Sequence, residues 1–208
     1  MEYFDICDER GVPTGGTVAR DVAHREGIRH RTAHVWIVRR RAGRWQALLQ
    51  KRSANKDSFP GKYDTSSAGH IPAGDEPLES ALRELGEELG IQASPEQLRF
   101  AGHFDIRYEK EFHGHLFRDN EYAFVYVYRQ PVDIDALTLQ KEEVERVDWF
   151  DLEQTWAELN QRRDLYCVPT EGMAVVRGFL QGIGKREKGK GKREKGHRAP
   201  GKMSSGHF

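Results

Sequence analysis

The chain has 208 residues, 37% of them hydrophobic and 32% charged, enough for one domain with a proper core and short for two. Its 33 basic and 33 acidic residues cancel, which excludes a protein defined by one sign of overall charge, but nine Lys and Arg stand against two acids from Gly182 to Phe208, so the remainder is acidic. Two widely separated cysteines, Cys7 and Cys167, exclude a disulfide framework and a zinc ribbon, and no apolar run reaches the length of a membrane span.

In chain order, "MEYFDICDERG" is acidic and lacks an apolar targeting core, so no signal peptide is expected and the setting is read as reducing cytosol. "AHREGIRHRTAHVW" contributes His24, His30 and His34. The apolar stretches Val35–Val38 and Gln46–Leu49 predict two strands around a turn at Ala42-Gly43. "SANKDSFPGKYDTSSAGH" predicts a loop, ending on Gly69 and His70. A helix should follow, with Pro77 in its first turn and Gly90 just past its end. "FAGHFDIRYE", "EYAFVYVYRQ" and "VERVDWF" read as strands; the second is apolar on both faces, as a strand covered on both sides must be. "DLEQTWAELNQRR" and "EGMAVVRGFLQGI" read as helices. Beyond them "GKREKG" occurs twice with nothing apolar to bury, so 182–208 is expected to be a disordered basic tail, separate from a single domain over 1–181 with its core at about 30–160.

That helix, with Pro77 in its first turn and Gly90 past its end, holds the main chemical signal. At 100° per residue, Leu78, Ala81, Leu82, Leu85 and Leu89 share one arc and Glu84, Glu87 and Glu88 an adjacent one. Like charges three and four residues apart repel, and no lysine sits at the compensating positions. A solvated acidic face is the bland reading. A hard divalent cation, which takes several oxygen ligands, is the sharper one.

Gly69, Asp75 and the run Arg83-Glu84-Leu85-Gly86-Glu87-Glu88-Leu89-Gly90-Ile91 resemble the Nudix box, with Asp75 in place of the usual Glu. The resemblance implies an α/β fold, an α/β/α sandwich with a mixed sheet. It implies that Glu84, Glu87 and Glu88 ligate Mg²⁺ or Mn²⁺, with Arg83 holding Glu84 by an ion pair. The family hydrolyses diphosphates linked to another moiety, by water attack on phosphorus. Glu142 or Glu143, ahead of "VERVDWF", is the candidate base, with Glu87 or Glu88 as alternatives.

From "DERGVPTG" through "DNEYAFVYV" the chain is also similar to isopentenyl diphosphate isomerases, which share the fold, over roughly Glu2 to Gln181. That similarity implies a second metal site at His24, His30, His70, Asp119 and Glu121, and a diphosphate grip at Arg52 and Lys56. The isomerase's cysteine is Ala68 here, and alanine exchanges no proton with an alkene. The expected activity is therefore hydrolysis of a prenyl diphosphate or a nucleoside diphosphate derivative, with an isomerase or a nucleotide- or RNA-binding module as alternatives. The expected partner is a small diphosphate; the basic tail is the one feature that would suit nucleic acid. Trp36, Phe59, Tyr63 and Tyr108 are aromatic candidates for a pocket wall, with core packing as their ordinary role.

Overall fold

The computed structural model describes residues 1–56 and 58–195, with side chains to 184. A hairpin opens the chain, β1 (Tyr3–Cys7) with β2 (Pro13–Ala19), and leads into the short helix α1 (Arg20–Glu26). Phe4, Val18 and Ala23 form a small core beneath it. None of these three elements was expected from sequence, because the hairpin has little alternation and α1 only two turns.

The main sheet has seven strands. β3 (His30–Arg41) and β4 (Arg44–Arg52) form the expected hairpin. Ala42 (φ 48°) and Gly43 (φ 79°) are both left-handed, as a two-residue turn matching strand twist requires. β5 (Tyr63–Asp64), β6 (Ser67–His70), β7 (Leu98–Phe112), β8 (His115–Tyr128) and β9 (Val144–Asp151) complete the sheet. Its order is β5-β4-β3-β8-β7, with β6 also on β3 and β9 also on β4. β3 and β8 run parallel and the other pairs antiparallel, so the sheet is mixed.

Helix α2 (Pro77–Leu89) covers one face. Its Ala81, Leu85 and Leu89 pack on Val35, Ile37, Leu48, Tyr126 and Tyr128. On the other face α3 (Leu152–Glu158) and α4 (Thr170–Lys195) bury Leu152, Met173, Val176 and Leu180 against Trp36, Val38, Ala123, Val125 and Val127. The two faces of β8 therefore enter two different cores, which explains its unbroken apolar run. The result is an α/β/α sandwich. α3 is shorter than "DLEQTWAELNQRR" suggested, and α4 carries helical backbone past Ile183 to Lys195. The rest of the basic segment, 196–208, lies outside the described residues. Among the described residues no helix is long and apolar enough to cross a membrane.

Candidate active site

A cavity of about 370 Å³ opens where α1, the start of β3, β6, α2 and the β7–β8 ribbon meet. It gathers Glu84, Glu87, Glu88, His24, His70, Asp119, Glu121, Arg52, Lys56 and Glu143 from six separate segments.

The box glycine and the box helix meet edge on. A Cβ on Gly69 would lie 2.1 to 2.6 Å from the Glu84 carboxyl atoms, so only glycine lets β6 approach α2 this closely. Arg83 bonds Glu84 at 2.9 Å and Glu87 at 3.0 Å, and its other amine reaches the His70 carbonyl at 3.3 Å. Gly90, at φ 71°, ends α2 in the left-handed conformation.

The three glutamates are not equivalent. The Glu87 side chain is 53% exposed, whereas Glu88 is buried and accepts bonds from Gln50 Nε2 and the Ala68 N–H, both at 3.3 Å. Burial pushes the Glu88 carboxyl up to about 8 and raises that of Glu84 as well. With Arg83 between two of them, the helix carboxylates do not converge on one point. Asp75 offers its backbone carbonyl to Arg31 (3.0 Å), while Asp5 takes the Arg31 guanidinium and the Gly74 N–H, each at 2.9 Å.

A different set does converge. Ligand atoms of His24, His30, His70 and Glu121 all lie within 4.8 Å of one another, and among the described residues this is the group of three or more donors that does so. The Nδ1 atoms of His24 and His30 sit 2.9 and 2.8 Å from the Arg20 and Ile28 carbonyls. A carbonyl only accepts, so both Nδ1 atoms carry the proton and both Nε2 atoms turn lone pairs inward. His70 Nε2 lies 3.2 Å from His24 Nε2 and 3.6 Å from Glu121, and His30 Nε2 lies 3.8 Å from Glu121. Asp119 stands 3.9 Å from His24. Two buried atoms here, His30 Nε2 and Asp119 Oδ1, have no hydrogen-bond partner, the signature of donors arranged for something other than each other. Burial lowers His24, takes His30 to about 4 and holds His70 well below its ordinary value, while it raises Asp119 and Glu121. All these shifts favour neutral forms, and a bound cation would restore the carboxylates' charge. The residues therefore fit a divalent ion.

Phe4 braces the cluster. It is fully buried and stacks on His30 at 4.8 Å and His70 at 4.6 Å, while Phe117 stacks on His24 at 4.3 Å. Thr32 Oγ1 fixes Glu121 by donating to it at 2.9 Å. Neither Phe4 nor Thr32 carries a sequence signal; each acts by touching a member of the cluster from a remote element.

The cations are partly committed. Arg52 donates to the Ser58 carbonyl, the Ser58 hydroxyl and Asp64, at 3.0 to 3.1 Å, which uses three of its five N–H groups. Lys56 is ion-paired to Glu143. Arg20, which the sequence reading passed over, reaches Glu2 at 2.9 Å and His70 Nδ1 at 3.4 Å and lines the same cavity. Phe59 and Tyr108 line the wall, whereas Trp36 and Tyr63 are core residues.

Known proteins resemble this chain over most of its length. Nudix hydrolase 3 of Arabidopsis thaliana is 43% identical over 155 residues, which is 74% of this chain and 20% of that protein. An uncharacterized Nudix hydrolase of Clostridium acetobutylicum is 39% identical over 143 residues, 69% of this chain and 66% of that one. The chain thus spans a fifth of one curated relative and just under two thirds of the other. A crystal structure of a Deinococcus radiodurans protein shares the fold at a TM-score of 0.62 and 19% identity, covering 85% of this chain and 98% of that one. The match to the NUDIX domain runs over residues 28–169, and with the box helix in place this chain belongs to the NUDIX domain family.

Proposed function

We propose that this domain is a divalent-metal-dependent hydrolase of a small diphosphate, a prenyl diphosphate or a nucleoside diphosphate derivative, with water attacking phosphorus. The observation that carries the reading is a single cavity joining the box carboxylates, the converging His–Glu cluster and three cations. The converging His24, His30, His70 and Glu121 would hold a divalent transition ion, and Glu84, Glu87 and Glu88, whose oxygen donors are of the kind Mg²⁺ or Mn²⁺ takes, would have to swing together to hold another. A bound divalent ion supplies positive charge to phosphoryl oxygens as they gain charge during P–O cleavage.

The chain's own groups do the rest. Lys56, Arg20 and the two uncommitted N–H groups of Arg52 grip the diphosphate. When Lys56 turns to phosphate it leaves Glu143, whose carboxylate is then available as the base for water. His70 can present Nε2 as a ligand only by placing its proton on Nδ1. That displaces the Arg20 amine 3.4 Å away and directs it to the anion. Arg83 orients Glu84 and Glu87.

One observation bears on the isomerase alternative. Cys167, remote from Ala68 in sequence, lines the same cavity. Its thiol donates to the Tyr63 carbonyl at 3.4 Å, and burial raises it well above the ordinary thiol range, so it is a poor proton donor to an alkene. Both cysteines are free, which supports the proposed reducing, cytoplasmic setting. The test is cleavage of a panel of diphosphates with Mg²⁺ or Mn²⁺, read by phosphorus NMR as phosphate from a terminal diphosphate or as two phosphomonoesters from a diphosphate linked at both ends. Glu88→Gln should lower kcat at least 100-fold, and unchanged turnover in both Glu87→Gln and Glu88→Gln would refute the reading.

A further inference from the structure

His34 has no part in the chemistry above, yet it lines the cavity. On β3 it follows Thr32 and precedes Trp36 on the same face, opposite Ala68 of β6 and Val125 of β8. Thr32 holds Glu121 and Trp36 is wholly within the core, so His34, 6% exposed, is where the cavity ends against the core. Its ring packs edge-on against Phe104 at 5.3 Å. It makes no hydrogen bond among the described residues, and its Nδ1 is enclosed and unpartnered.

The surroundings decide what could pair with it. Burial takes the imidazole to about 4, so near neutral pH it is uncharged, with one donor and one acceptor. Asp64, whose charge acts on it, is acidic and tied to Arg52 at 3.0 Å and to the Thr65 N–H at 2.8 Å. Glu121 stands on the side towards the metal cluster. A phosphate is disfavoured here, and a hydrocarbon would cover Nε2, the ring nitrogen that is not enclosed, without giving it a partner. The small side chain of Ala68 leaves room for a substrate group.

We propose that His34 is a specificity-determining residue. It hydrogen-bonds an uncharged polar group, a hydroxyl or carbonyl, on the organic half of the diphosphate, so the preferred substrate carries such a group and is not a plain hydrocarbon diphosphate. This rests on the hydrolase reading and narrows its substrate class. A site built to pair a hydroxyl rejects the analogue lacking it far more strongly than an apolar pocket rejects an added one.

The test compares n-alkyl diphosphates of three to five carbons with their ω-hydroxy counterparts, using the full chain with Mn²⁺. Phosphate release gives kcat/KM, and calorimetry gives Kd for the same compounds. At one chain length the hydroxy compound should be favoured at least tenfold. His34→Leu should bring that ratio to about one, and His34→Gln, which keeps a donor and an acceptor, should restore part of it. Thermal melts show whether each variant is folded. A preference for the alkyl compound at every length, or an unchanged ratio in folded His34→Leu, overturns the proposal. If no compound releases phosphate, the Kd ratio alone decides the role of His34, and the hydrolase reading falls only if nucleoside diphosphate derivatives also remain uncleaved.

Discussion

Replacing Gly69 with alanine should force the box helix and β6 apart at the point where they touch. The new methyl would stand 2.1 Å from the Glu84 carboxyl carbon and 2.2 and 2.6 Å from its oxygens. Ordinary contact begins at roughly 3.5 Å, so the carboxyl group must retreat by more than about 1 Å. It cannot do so freely, because Arg83 holds it at 2.9 Å and its side chain is 14% exposed. Overpacking of this kind costs about 1–3 kcal/mol, and each kcal/mol lowers Tm by roughly 2–4 °C in a chain of this size. Differential scanning calorimetry on Gly69→Ala, Glu84→Ala and the double variant forms a cycle. The double variant should melt with Glu84→Ala, since truncating Glu84 removes the collision. If Gly69→Ala costs as much with Glu84 absent as with it present, the contact with the carboxylate is not why glycine stands there.

Phe4→Ala, which removes a wholly buried ring stacked on His30 and His70, should cost about 3–5 kcal/mol in urea unfolding and weaken Mn²⁺ binding in a calorimetric titration. Thr32→Val should leave Glu121 Oε2 without its 2.9 Å donor, lowering stability by about 1–3 kcal/mol with little change in volume. His34 titrates near 4 in the fold because burial disfavours its charged form, against an ordinary value of 6.5. The unfolded chain therefore binds more protons between those values. The stability its neutral ring contributes is full above about 6.5 and is lost as pH falls towards 4, at up to about 1.4 kcal/mol per pH unit. His34→Gln should flatten the acid limb of a stability–pH curve by one group's share, leaving that of His30, which behaves alike. Arg83→Ala should change stability by less than about 1 kcal/mol, its pairs being partly exposed, while kcat falls; an unaltered kcat would remove Arg83 from the machinery.

The local elements were legible because each is written in consecutive residues. The 3.6-residue spacing of Leu78, Ala81, Leu82, Leu85 and Leu89, stopped by Gly90, specifies α2 and the side it buries. The double-faced apolar run of β8 specifies a central strand, and the box spacing specifies the family. Spacing and periodicity alone could not give the distances between remote segments; the grouping of His24, His30, His70 and Glu121 was reached only through the family resemblance. The wheel gave Glu87 and Glu88 one arc, but only packing made one exposed and the other buried beneath Gln50 and Ala68. Cys167 lies 99 positions from Ala68 in the numbering and shares its cavity. Consecutive residues set which side-chain types were available and the periodicity of each element. The tertiary structure decided which of them are desolvated together, and desolvation is what strips His30, His34, Asp119 and Glu121 of water and leaves them to find partners inside the cavity.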